Sequence, residues 1–114
     1  SVQHNEYLYA ARFDKQLTAE MAAPYLQFTK EAMAALKTTT GHMSSIYALL
    51  FICEEGIEEK ALADLQKLKQ HKDYCFTLKG WSDLALYIVD IPAQRLYCNK
   101  AGAKEKALFE FAKA

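Results

Sequence analysis

The sequence predicts one α+β domain spanning residues 1–114. Three observations lead there. The chain is 52% hydrophobic and 25% charged, the balance of an ordinary globular protein. Its length suits one core and is too short for two domains. Stretches with apolar residues at every second position alternate with stretches where they recur every three or four. The expected order is an N-terminal strand, two or three helices, a C-terminal three-stranded antiparallel meander and a closing helix. No repeat, linker or low-complexity tract is evident.

The first strand is read over Glu6 to Phe13, where Tyr7, Tyr9 and Phe13 share one side at period two. Asp14 can cap a helix that runs to about Lys37, with Leu17, Met21, Tyr25, Phe28, Ala32 and Leu36 as its apolar stripe. Pro24 lies inside that stripe and either kinks it or opens a second segment. The run Thr38-Thr39-Thr40-Gly41 ends the helix. Ser44 to Glu55 has two readings. A serine cap and Gly56 punctuate a helix, whereas the unbroken apolar run Ile46 to Ile52 has strand length, and Glu54-Glu55 oppose a helix dipole. Ile57, Ala61, Leu62, Leu65 and Leu68 then mark an amphipathic helix.

The meander strands are read over Tyr74–Lys79, Leu84–Asp90 and Arg95–Asn99, with turns at Lys79–Asp83 and Ile91–Gln94. A tight turn at Pro92-Ala93 pairs Asp90 with Arg95, Ile88 with Tyr97 and Tyr87 with Cys98. A second tight hairpin sets Leu84 opposite Leu78, Leu86 opposite Phe76 and Tyr87 opposite Cys75. Alternation then assigns Phe76, Leu86 and Ile88 to a core shared with Leu62 and Leu65. The other face holds Ala85, Tyr87, Val89, Leu96, Cys75 and Cys98, and is too apolar to be merely solvated. Ala103 to Ala112 closes the chain as a helix.

Charge and motif content narrow the function classes. Lys plus Arg and Asp plus Glu are 14 each, so the chain lacks the basic excess of a nucleic-acid binder and has little net charge to oppose self-association. The longest apolar run, Ile46 to Cys53, is far short of the ~20 residues of a membrane-spanning helix. Three cysteines, Cys53, Cys75 and Cys98, fit reduced thiols in a cytoplasmic protein better than a disulfide framework. Cys75 and Cys98, set on either side of Tyr87, would be roughly 9–10 Å apart, beyond the ~7 Å reach of a disulfide.

His4, His42 and His71 are scattered without metal-ligand spacing, so no metal and no cofactor is expected. His42, after Gly41 in a polar loop, is the one histidine with the setting of an active-site base, although a solvated loop histidine is the ordinary reading. Trp81 is placed in the Gly80–Asp83 turn, as a core cover or an interface anchor. The expectation is a small interaction or regulatory module, homodimeric and without catalysis, that binds through Tyr87, Val89 and Leu96. The alternatives are an apolar small-molecule binder lined by Tyr87, Tyr47, Cys75 and Cys98, and a thiol-dependent enzyme.

Overall fold

A computed structural model of the chain describes residues 2–36, 42–74 and 80–105. The ambiguous run at Ser44 to Cys53 is strand, as its β-branched and aromatic content and burial on both faces favour. The elements in chain order are β1 (Val2–Phe13), α1 (Ala19–Ala35), β2 (His42–Cys53), α2 (Glu59–Lys67), β3 (His71–Tyr74), β4 (Gly80–Asp90) and β5 (Arg95–Cys98). A third helix, α3, starts at 100 and is described to 105. The result is a mixed α+β fold on a five-stranded sheet, ordered β1-β2-β4-β3, with β5 also on β4.

β1, β2 and β4 are parallel neighbours. Both crossovers advance the same way across the sheet, so a common hand puts α1 and α2 on one face. The main core forms there from Phe13, Leu49, Phe51, Leu84, Leu86 and Ile88 of the sheet and Ala22, Met33 and Leu65 of the helices. Each β1–β2 pair, from Val2 with His42 to Phe13 with Cys53, is separated by 40 residues. The same separation continues past the strands to a bridge between Leu17 and Ile57. The two βα units are therefore a structural repeat that the sequence does not advertise.

The expected meander needs correction. β3 and β5 do run antiparallel to β4, but both lie along the same edge of it. Its other edge is taken by β2, whose two apolar faces require an interior position. The β4–β5 register is as expected, with Tyr87 opposite Cys98, Ile88 opposite Tyr97 and Asp90 opposite Arg95. The β3–β4 register differs, with Tyr74 opposite Gly80 and His71 opposite Asp83. Strand β3 thus starts earlier than expected, and residues 80–83 are strand rather than turn. Gly80 explains the shift. It has φ +104°, and a Cβ there would lie 1.4 Å from the Met43 carbonyl oxygen, so β2 and β4 approach where only glycine fits. The expected partners Phe76 and Cys75 lie outside the described residues.

The stripe expected on α1 is also rotated. Thr18 caps the helix by accepting from the Met21 N–H, and Ala22, Thr29 and Met33 are the buried positions. Small Ala22 and Thr29 let the helix sit close on the sheet, and Tyr25 and Phe28 are displaced to its margin. Pro24 lies in the second turn, and the helix runs on through it.

Among the described residues, β4 has no strand partner along its outer edge between the β3 and β5 pairings, and Asn99 fills this gap. Its side-chain oxygen accepts from the Leu86 N–H at 3.0 Å, and its amide nitrogen donates to the Leu84 carbonyl at 3.0 Å. The Leu84 N–H is taken by the Gln70 carbonyl, also at 3.0 Å. Asn99→Ala strands several buried backbone groups at once, so a loss of roughly 2–4 kcal/mol is expected in urea unfolding. Leu86→Ala, by leaving a cavity in the core, is expected to cost roughly 2–5 kcal/mol. A loss below about 0.5 kcal/mol at either position contradicts this packing.

Candidate functional site

The residues singled out from the sequence do not converge on one site. Tyr87 is 5% exposed, and its hydroxyl donates to the Gly102 carbonyl at 3.1 Å. With Ile46, Ala48 and Ala85 it forms a second apolar cluster, against which Leu50, Trp81 and Cys98 pack. The centre of the second sheet face is thus interior, and burial pushes the Tyr87 phenol up to about 12. Leu96 remains exposed and Val89 half-buried, at the far end of the β4–β5 hairpin. Trp81 lies in β4 rather than in a turn. His42 opens β2, and its side chain lies outside the described residues, as does Cys75.

Cys53 and Cys98 are free thiols. Burial, with the Asp90 charge second, pushes the Cys53 thiol up to about 11, so little thiolate forms at neutral pH. Among the described residues, no group of three His, Cys, Asp or Glu side chains is arranged to hold a metal ion.

Two surfaces missed by the sequence reading stand out. The first is a cleft of about 380 Å³ beside the Asn99 splice, lined by Lys67, Lys69, Lys100, Lys104, His71 and Asp83 among others. The last turn of α2, the first turns of α3 and the start of β3 bring these residues together. Among the described residues, none of the four lysines has an ion-pair partner. A neighbouring cleft of about 450 Å³ shares Lys69 and His71 and adds Lys30 and Lys72. Although the chain has no net charge, one end of it gathers cations around His71. Lys67, Lys69 and Lys72 fall within six residues of each other, and the fold brings Lys30, Lys100 and Lys104 to join them.

His71 is held between two carboxylates. Nδ1 is 2.5 Å from Asp83 and Nε2 is 2.9 Å from Asp73, and the imidazole stacks on Trp81 at a centroid distance of 6.4 Å. Cross-strand pairing of His71 with Asp83 and the period-two spacing to Asp73 create this arrangement. Hydrogen bonding to Asp83 first, then to Asp73, raises the His71 pKa above 6.5 despite partial burial.

The second surface is the open edge of β1. Leu8 is 65% exposed on one side of it. On the other side α1 overhangs with Phe28 and Tyr25, 49% and 40% exposed. Their rings meet Tyr9 and Phe13 edge-on, at 5.1 and 5.5 Å.

The raised His71 pKa has a defined sign. Its contribution to stability is fully present below pH about 6.5 and fades as pH rises through the raised folded value. His71→Gln is therefore expected to destabilise most near pH 6 and least near pH 9, measured by urea unfolding across that range. A penalty that grows with pH contradicts the carboxylate pairing.

No helix among the described residues is long and apolar enough to cross a membrane. Neither a curated protein nor a solved structure matches the chain. A family model described as Domain of unknown function (DUF8052) matches residues 1–111, and the chain belongs to that family.

Proposed function

We propose that the chain is a small interaction or regulatory module that works as a homodimer, in a cytoplasmic setting that keeps its thiols reduced. The observation that carries this reading is the edge of β1. This strand has 12 residues, contains neither proline nor lysine, and pairs with β2 in an unbroken register without a bulge. Proline, lysine, bulges and exposed charge usually blunt such an edge; β1 lacks the first three, and the exposed charges it does carry, Glu6 and Arg12, are of opposite sign and can complement each other across a pair of copies. Among the described residues, three of the five large exposed apolar side chains, Leu8, Tyr25 and Phe28, flank it. The surface inferred from the sequence, by contrast, has Tyr87 in the interior, with Val89 half-buried and Leu96 exposed at its rim.

Light scattering at high micromolar concentration is expected to give twice the chain mass. Leu8→Lys, at an exposed position the fold tolerates, is expected to return the mass to that of one chain. Leu96→Lys is expected to leave it doubled. A monomeric wild type, or a dimer lost only on Leu96→Lys, contradicts the reading.

A second reading, compatible with the first, comes from the cleft at Lys67, Lys69, Lys100 and Lys104. Its four lysines favour a small polyanion over the apolar ligand suggested by the sequence. Pyrophosphate is expected to raise the melting temperature of the wild type and to have no such effect on Lys67→Glu/Lys100→Glu. An equal rise in both, or none in either, contradicts it.

A further inference from the structure

The edge of β1 carries enough information to specify how two copies would meet. We infer that the partner of β1 is the β1 strand of a second copy, antiparallel, with the two-fold axis at Tyr9. The inference rests on the homodimer reading and adds the register. Three independent features select it.

Hydrogen-bond direction comes first. The Phe13 carbonyl accepts from the Glu54 N–H beyond the end of β2, so Phe13 turns its backbone groups toward β2. Backbone groups alternate along a strand, so odd-numbered residues of β1 face β2, and His4, Glu6, Leu8, Ala10 and Arg12 face the open edge. Antiparallel pairing therefore joins even-numbered residues to even-numbered residues. That restricts the register to steps of two.

Charge selects among those steps. With the axis at Tyr9, Glu6 lies opposite Arg12 of the second copy and Leu8 opposite Ala10, and each pair occurs twice. Shifting the register one way sets Arg12 opposite His4 and leaves Glu6 facing Ala10. Shifting it the other way brings Glu6 against Asp14. Opposed unlike charges stabilise a cross-strand pair and opposed like charges destabilise it. Arg12, 69% exposed, also bonds Glu54 at 2.7 Å and would lie between two carboxylates.

The third feature is the exposed aromatic surface. Tyr9 would be at the axis, and Phe28 lies edge-on against its ring at 5.1 Å. The α1 helices of the two copies would then run side by side, with each Phe28 close to the axis and covered by the other copy. The displacement of Phe28 to the margin of α1 thereby gains a purpose.

The register is read by disulfide formation. Tyr9 opposite Tyr9 is a non-hydrogen-bonded pair with Cα atoms about 4.5 Å apart, within disulfide range. Tyr9→Cys is expected to give a covalent dimer on a non-reducing gel, above any background from the native cysteines of the wild type. Leu8→Cys is not. Charge reversal at these exposed positions is an independent check, with circular dichroism establishing that each variant is folded, since Arg12→Glu also breaks the pair with Glu54. Glu6→Lys alone and Arg12→Glu alone are each expected to raise the dimer Kd about tenfold, and the two together to restore most of the affinity. Bridging at Leu8→Cys without Tyr9→Cys shifts the axis and overturns the register. A dimer by light scattering that neither bridges nor responds to charge reversal overturns the β1 interface altogether. A monomeric wild type overturns the homodimer reading itself.

Discussion

The fold is closed by the buried amide of Asn99, which is 2% exposed and uses its full hydrogen-bonding capacity. Its oxygen accepts from Leu86 and from Gly102, and its nitrogen donates to Leu84 and to Leu68. Three structural tasks meet in these four bonds. They continue the sheet across the interval between β3 and β5, satisfy the carbonyl at the end of α2, and cap the first turn of α3. The backbone N–H of Asn99 adds a bond to the Leu86 carbonyl at 3.1 Å. Neither aspartate, without donors, nor leucine, without polar atoms, can replace that set. Gly102 is held to its identity by the same crowding. A Cβ there would lie 2.8 Å from the Leu86 carbonyl oxygen and 2.9 Å from the Cys98 Cβ.

The same economy governs the other end of the sheet. The constant separation of 40 between β1 and β2 carries into the loops, where the Leu17 N–H donates to the Gly56 carbonyl and the Glu58 N–H donates to the Leu17 carbonyl, both at 3.0 Å. Arg12 and Glu54 add a charged clasp beside them. Open parallel sheets commonly bind ligands beyond the carboxyl ends of their strands, where the strand order reverses. Here β1, β2 and β4 advance in one direction without a reversal, and the loops are stitched to each other. The usual crevice is therefore missing among the described elements, and the surfaces with exposed chemistry move to the two edges of the sheet.

How much of this was legible in the sequence follows from the range of each interaction. The β4–β5 hairpin was readable residue by residue, because a turn containing Pro92 is a local signal that sets the register of both flanking strands. α2 was readable from its apolar period. The run at Ile46 to Cys53 stayed ambiguous because a strand buried on both faces has no alternation to read. The meander failed for a non-local reason: β2 competes for one edge of β4, and nothing between residues 74 and 99 records this. The rotation of α1 was hidden as well. Large apolar side chains such as Tyr25 and Phe28 suggest burial, whereas close helix–sheet approach favours small Ala22 and Thr29. Lys67, Lys69 and Asp73 are near His71 in sequence, but Lys100, Lys104 and Asp83 join them only through tertiary structure.

The two edges solve the exposed-edge problem differently, and that contrast bears on function. Along the outer side of β4, short strands β3 and β5 present His71, Lys72, Asp73 and Arg95, and Asn99 takes up the backbone groups between them. Short, charged edges of this kind resist further pairing. β1 is long and has apolar side chains on both sides, so it retains pairing capacity. Assembly through β1 leaves the basic cleft on the outer edge, with β2 and β4 lying between the two surfaces. A ligand in the cleft then has no steric conflict with a second copy. Any coupling between the two would have to pass through the register of the sheet, which Asn99 holds at one side and the loop bridge of Leu17 and Ile57 at the other.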